Sequence, residues 1–199
     1  PLGASRFLFD LACLRRAGTR PCGGSRQLGA PLRSASGRAA RPGGGHVSAE
    51  SSPAGVTVRP MRPADLASVM VIERRSFTAP WEESTFRGLM RRPSAALLVA
   101  ELQDEVVGYS VTWFAADEGE LGDIAVLPEL RGLGLGRLLL DESIAIARKR
   151  GTRSLYLEVR EANRVARDLY RKNGFEVAGV RKQYYKEPVE DAIVMRLEL

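Results

Sequence analysis

Arg131-Gly132-Leu133-Gly134-Leu135-Gly136-Arg137 lies between an apolar run at residues 124–127 and a run of helical character at 138–148. Glycines at alternate positions leave a backbone without Cβ atoms, so several N–H groups converge on one oxygen-rich group at a helix N-terminus. Such a turn reads as a phosphate cradle or as plain close packing, and the flanking chain decides between them. No Lys-Ser or Lys-Thr follows, as a mononucleotide P-loop requires, and glycines at 132, 134 and 136 lack the dinucleotide spacing.

Downstream, residues 135–150 read as a helix, with Leu135, Leu138, Leu139, Ile146 and Ala147 on its buried side and Gly151 as its stop. A strand at 154–159 and a helix at 163–172 follow, the latter with Val165, Ala166, Leu169 and Tyr170 on one side and Gly174 as its stop. Two more strands, 175–180 and 192–197, are joined by a link at 186–191. Upstream, Val56-Thr57-Val58-Arg59 is a short strand, and Pro63-Ala64-Asp65 opens a helix with Leu66, Val69, Met70 and Phe77 at helical spacing. Pro80-Trp81 interrupts, residues 82–90 form a second short helix, and strands at 94–102 and 106–114 make an antiparallel hairpin. Residues 117–120 read as an acidic loop before the strand at 121–127. A meander followed by strand, helix, strand, helix, strand predicts a mixed α/β fold with at least one parallel crossover. The glycines then sit between a strand's C-terminal end and a helix N-terminus, where open α/β sheets bind ligands.

Composition divides the chain in two. The net charge of +6 hides an asymmetry, because residues 1–49 hold eight Arg against Asp10 alone, so the remainder is close to neutral. A nucleic-acid reading therefore rests on the first segment only, and nucleic acid is not the expected partner. Residues 1–54 are rich in Gly, Ala, Ser, Pro and Arg and are a poor core former, expected to be disordered. The same Arg-rich, acid-poor character fits a transit peptide or a basic binding arm, and a start at Pro1 fits a fragment or an over-extended reading frame. Cys13, Cys22 and His46, the chain's only Cys and His residues, all fall in this segment. Residues 55–199 therefore lack a Cys nucleophile, a His base and a zinc-ligand set, so no metal is expected and the chemistry must use carboxylates, tyrosines, backbone amides and a bound co-substrate. No apolar run approaches a bilayer's thickness, so no membrane partner is expected.

Arg131-x-x-Gly134-x-Gly136 after a strand, followed by Asn163-x-x-Ala166-x-x-Leu169-Tyr170-x-x-x-Gly174-Phe175, resembles the acetyl-coenzyme A signature of the GNAT N-acetyltransferase superfamily. Ile72-Glu73-x-x-Ser76-Phe77-x-x-Pro80-Trp81, Leu157-Glu158-Val159-Arg160 and Tyr184-Tyr185 ahead of Asp191-Ala192-Ile193-Val194-Met195 look more narrowly like its RimI group of ribosomal-protein-alanine N-acetyltransferases. The similarity covers residues 56–199. It implies a GNAT domain at 55–199 with a central mixed sheet of about seven strands and four helices, an antiparallel N-terminal meander, and parallel strands that splay at the donor site. It also implies acetyl-CoA as co-substrate, with Arg131, Gly132, Leu133, Gly134, Leu135, Gly136 and Arg137 on its pyrophosphate. Ile124, Ala125 and Val126 would pair with the pantetheine arm through main-chain groups, and Asn163 and Ala166 would flank it. Ala162 stands where relatives often have Ser, a change that would loosen a local hydrogen bond without touching catalysis. The implied acceptor is a protein N-terminus, most narrowly the N-terminal alanine of a small-subunit ribosomal protein. The implied setting is the cytoplasm, or an organelle if residues 1–54 are a transit peptide, and a monomer is favoured.

The chemistry agrees with this. A peptide α-amine, with a pKa of about 7.7 to 8.0, needs only modest help to lose its proton, and a carboxylate acting through water suffices. Glu158 alternates away from the leucines of its strand and ends beside the implied thioester, which makes it the candidate base; alternatively it is a solvated strand end or an Arg partner, with Arg160 nearby. Tyr170 matches the family's acid for the leaving thiolate, against a plain reading as part of its helix's apolar face. Phe77 and Trp81 line the acceptor groove or pack in the core. Of Tyr184 and Tyr185, strand alternation lets one face the acceptor. Lysine side chains, small-molecule amines and a non-catalytic acyl-CoA-binding role are the alternatives.

Overall fold

A computed structural model of the chain describes residues 55–199. Its strands are β1 (Val56–Pro60), β2 (Ala95–Leu102), β3 (Glu105–Ala115), β4 (Glu118–Val126), β5 (Ser154–Arg160), β6 (Glu176–Lys186) and β7 (Val189–Glu198). Its helices are α1 (Leu66–Ser76), α2 (Glu83–Met90), α3 (Leu135–Lys149) and α4 (Arg164–Lys172). One seven-stranded sheet runs in the order β1-β2-β3-β4-β5-β7-β6, so the expected mixed sheet with four helices is present.

The period of two along β2 and β3 assigns the helices to opposite faces. Leu97, Val99, Tyr109 and Val111 turn one way, toward α1 and α2 through Leu66, Val69, Met70, Ile72 and Phe86. Leu98 and Ala100 turn the other way, toward Leu135 and Leu139 of α3, joined by Val107, which a register shift opposite Ala100 and Glu101 takes out of step with Tyr109. The third part of the core joins α3 and α4 to β5 and β7 through Ile144, Tyr170, Phe175, Leu155, Leu157 and Met195.

Helix ends follow local chemistry. Asp65 accepts the Arg62 N–H at 2.6 Å and is gripped by the Arg59 guanidinium at 2.7 and 2.9 Å, which ties β1 to the entry of α1. Gly151, at φ +75°, ends α3 in the left-handed conformation that glycine adopts without strain, and Thr152 N–H returns to the Ala147 carbonyl.

The structure corrects several sequence expectations. Residues 118–120 are strand and not loop, because Glu118 pairs with Ala115 and the Trp113 indole N–H donates to Glu120 at 3.1 Å. Only Ala116 and Asp117 turn the hairpin. The link at 186–191 shrinks to Glu187-Pro188, since β6 and β7 continue as a hairpin. On α3 the deepest side chains include Leu140 and Ile144, while Leu138 and Ile146 are half-buried. Val165 is 84% exposed, which removes it from the apolar side of α4.

Candidate active site

β4 and β5 run parallel, but pairing covers only Glu118–Leu121 against Ser154–Leu157. Beyond Leu121, β4 keeps β3 on one edge and no strand pairs with its other edge among the described residues. Beyond Leu157, β5 is paired with β7 alone. The strands thus part at the sheet's centre and leave the main-chain groups of residues 122–126 along an unpaired edge.

The glycine turn stands at the end of that edge. Gly132 and Gly134 have φ of +82° and +84°, and Gly134 is the N-cap of α3. No side chain caps this fifteen-residue helix, so its first-turn N–H groups and dipole are directed at whatever sits over the turn. Gly136 is the informative glycine: a Cβ there would meet only ordinary contacts, Leu169 at 3.8 Å and Val126 at 4.0 Å, so folding does not demand glycine. A bare backbone in the first helical turn, where Ala would be preferred, fits a surface kept clear for a pyrophosphate. The Arg131 side chain turns back, donating to the Val126 carbonyl and to Ser76 Oγ, both at 3.1 Å; its main chain is what the turn contributes. Asn163 caps α4, with Oδ1 accepting the Ala166 N–H at 3.2 Å. Ala162 gives its N–H to Glu190.

On the other side of the gap lies a wall of acids and tyrosines. Glu158, at the end of β5, is ion-paired with Arg181 of β6 at 2.8 Å and hydrogen-bonded by the Tyr184 hydroxyl. Arg160 instead pairs with Glu190 at 3.1 Å and lies over the Tyr185 ring at 4.0 Å. Tyr170 is 5% exposed, tilted against Phe175 at 5.8 Å; burial raises its pKa above the ordinary phenol value, with the charges of Asp123 and Tyr185 adding to the effect. It stays protonated through neutral pH, as a donor must.

The alternation argument for Tyr184 and Tyr185 fails. Register jumps from Arg181 opposite Ala192 to Tyr185 opposite Glu190, so β6 carries a bulge. Gln183 has φ +50°, and Asp191 pins the bulge by accepting the Gln183 N–H at 2.8 Å and the Lys182 ammonium at 2.6 Å. The two rings meet edge to face at 5.2 Å, and both feel Glu158: burial chiefly raises Tyr184, and pushes Tyr185 up to about 12.

Phe77 and Trp81 are half-buried on the segment between α1 and α2, with Trp81 packed against Phe86 at 5.6 Å and Trp113 at 6.3 Å. The segment meets the β6–β7 hairpin where Thr78 donates to the Glu187 carbonyl at 3.2 Å and Arg160 reaches both, at 3.3 and 3.1 Å. Behind Trp81, Glu73 is fully buried and accepts the Trp81 N–H at 2.6 Å. The Tyr109 hydroxyl reaches both Glu73 and Asp123, the latter at 3.1 Å. Burial raises both acids, Asp123 well above the usual carboxylate range, with Glu73's charge adding to it. One hydroxyl proton cannot serve two carboxylates, so one acid keeps its own proton.

Tyr109, Asp123, Arg181, Glu190 and the bulge-pinning Asp191 had no assigned role in the sequence reading. Glu73 carried the plainest signal, an acid at helical spacing between Met70 and Phe77 on an apolar stripe.

Comparison with known proteins gives the family. The model of the acetyltransferase (GNAT) family matches residues 66–175. The chain is 36% identical over 145 residues to a ribosomal protein bS18-alanine N-acetyltransferase of Salmonella typhimurium, covering 72% of this chain and 97% of that one. Among solved structures, the ribosomal-protein-S18-alanine N-acetyltransferase of Escherichia coli matches with a TM-score of 0.67 and 34% identity, over 72% of this chain and 93% of that chain. Ard1 from Thermoplasma volcanium matches with a TM-score of 0.68 and 28% identity, over 73% and 98%.

Proposed function

The chain belongs to the GNAT acetyltransferase family, and from that premise we propose that it transfers the acetyl group of acetyl-CoA to the α-amine of a protein N-terminus, most narrowly the alanine of ribosomal protein bS18. The observation that carries the reading is the gap between β4 and β5, with an uncapped helix N-terminus and bare glycines on one side and Glu158, Tyr170, Tyr184 and Tyr185 on the other.

When bound, acetyl-CoA supplies an acyl group activated as a thioester. The backbone of residues 131–137 holds its pyrophosphate, the unpaired edge at 124–126 pairs with its arm, and Asn163 and Ala166 at the start of α4 flank it. Phe77, Trp81, Tyr184 and Tyr185 border the acceptor, on two segments joined by the contacts among Thr78, Arg160 and Glu187. An α-amine titrates near neutrality, whereas lysine at about 10.4 needs a stronger base. Glu158, its direction fixed by Arg181 and Tyr184, takes the amine's proton through a water. Tyr170 gives its proton to the departing thiolate, whose parent thiol has a pKa of about 8.5. With no Cys in residues 55–199 to carry an acyl group, transfer is direct within a ternary complex.

Tyr170→Phe tests the assignment on an Ala-first peptide. Turnover should fall by roughly 10²-fold while acetyl-CoA affinity stays within about twofold. An unchanged rate removes Tyr170 from the chemistry.

A further inference from the structure

Glu73 is a buried acid that the transfer reaction does not use. Its two oxygens are spent in opposite directions: Oε1 holds the main-chain N–H of Trp81 at 2.6 Å, and Oε2 accepts the Tyr109 hydroxyl. Tyr109, buried on β3, also reaches Asp123 of β4 at 3.1 Å. Asp123 adjoins the unpaired edge assigned to the donor arm, whereas Trp81 belongs to the segment assigned to the acceptor. An aromatic path runs beside the polar one, since Phe86 packs edge-on against Tyr109 at 5.5 Å and tilted against Trp81 at 5.6 Å.

Stability does not explain this choice. A side chain on the buried face of α1, facing a sheet core of Leu97, Val99 and Val111, is best served by an aliphatic residue, and burying two acids around one hydroxyl costs free energy. What the acid provides that Leu or Met would not is a directional hold on one backbone N–H in a segment that follows a helix end and contains Pro80. We propose that Glu73 is a positioning residue: through Trp81 N–H on one side and Tyr109–Asp123 on the other, it hangs the acceptor-binding lip from the donor strand and sets the distance between the two substrates. The inference rests on reading the Trp81 segment as the acceptor's border.

The atoms predict how substitutions sort. Glu73→Met fills the same space and releases Trp81; Glu73→Gln keeps an oxygen for the Trp81 N–H and offers an N–H to Tyr109. Tyr109→Phe leaves Trp81 held but cuts the tie to Asp123.

The experiment is steady-state kinetics on the full chain with both substrates varied, alongside melting temperature and acrylamide quenching of the chain's two tryptophans, Trp81 and Trp113. The proposal predicts that Glu73→Met raises the acceptor KM by roughly tenfold, leaves the acetyl-CoA KM within about twofold and increases quenching, with an unchanged or higher melting temperature. Glu73→Gln should return each value close to wild type, and Tyr109→Phe should raise the acceptor KM by a smaller factor. An acceptor KM unmoved by Glu73→Met overturns the proposal, as does a parallel rise in both KM values with a lower melting temperature. If Glu73→Met does not fold, an unmoved acceptor KM in Tyr109→Phe overturns the link to the donor strand. Trp81→Ala separates the premises: if it raises the acceptor KM and the Glu73 variants do not, only the positioning role falls, and if it does not, the lip reading falls too.

Discussion

Asp123 shows how one residue's setting fixes its chemistry. Its pKa is raised by burial and by Glu73, and the groups around it are Tyr109, Glu73, Tyr170 and Tyr185. The unfolded chain would ionise this acid near pH 4, whereas the folded chain resists ionisation, so the fold loses stability as pH rises from about 4 toward the raised value. Asp123→Asn removes that loss: denaturant unfolding should show the variant more stable than wild type at pH 7 and little different at pH 4, and a gain at pH 4 alone would contradict the assignment. This residue was not legible in the sequence. By alternation it would share a strand face with Leu121 and Ala125, but a register shift between Leu121 and Asp123 leaves only Ala125 on its side and turns Leu121 toward α3, which one chain's pattern does not reveal. The position of Tyr170 was legible, because its place before Gly174-Phe175 is set by the turn that ends α4, while its role as donor is the proposal. For Glu158 the alternative of an Arg partner was open with Arg160 nearby, and the structure supplies Arg181 from β6 instead, while Arg160 pairs with Glu190.

At the scale of elements, the turn into α3 makes opposite demands on stability and binding. Gly136→Ala introduces a side chain with only ordinary contacts at a helical position, so it should raise unfolding free energy by about 0.5 to 1 kcal/mol. The same methyl stands where the pyrophosphate would lie, and acetyl-CoA affinity, by calorimetry, should fall roughly tenfold. A variant that is both more stable and equally tight in binding would deny the turn its role. Helix ends and most strands were readable from glycines, prolines and apolar spacing. The β6–β7 hairpin was not: its length depends on pairing across the turn, and its bulge depends on Asp191 reaching back to Gln183 and Lys182. That bulge brings Tyr184 and Tyr185 to the same place, against the period-two expectation.

At the scale of the molecule, the order of motifs over residues 56–199 implied the sheet, and the seven strands and four helices agree with it. The gap between β4 and β5 was expected from family resemblance; composition and periodicity alone did not contain it, because splay arises from where pairing stops. The charge of the chain is similarly uneven: residues 55–199, which we propose as the acetyltransferase unit, are nearly neutral, so on that proposal no overall field would draw an acceptor in, and local groups would have to hold it. Among the described residues no helix is long and apolar enough to cross a membrane. The central claim is selective acetylation of an N-terminal alanine. The most direct measurement is the acetyl-CoA-dependent kcat/KM of the chain on peptides identical after their first residue, beginning with Ala, with other residues, or with an acetyl-blocked Ala that leaves lysine as the sole amine. The account predicts that the Ala-first peptide exceeds the blocked, lysine-bearing peptide by roughly 10²-fold or more, with the acetyl group mapped to the α-nitrogen. Equal rates on the blocked peptide, with acetyl-lysine as the product, would contradict it.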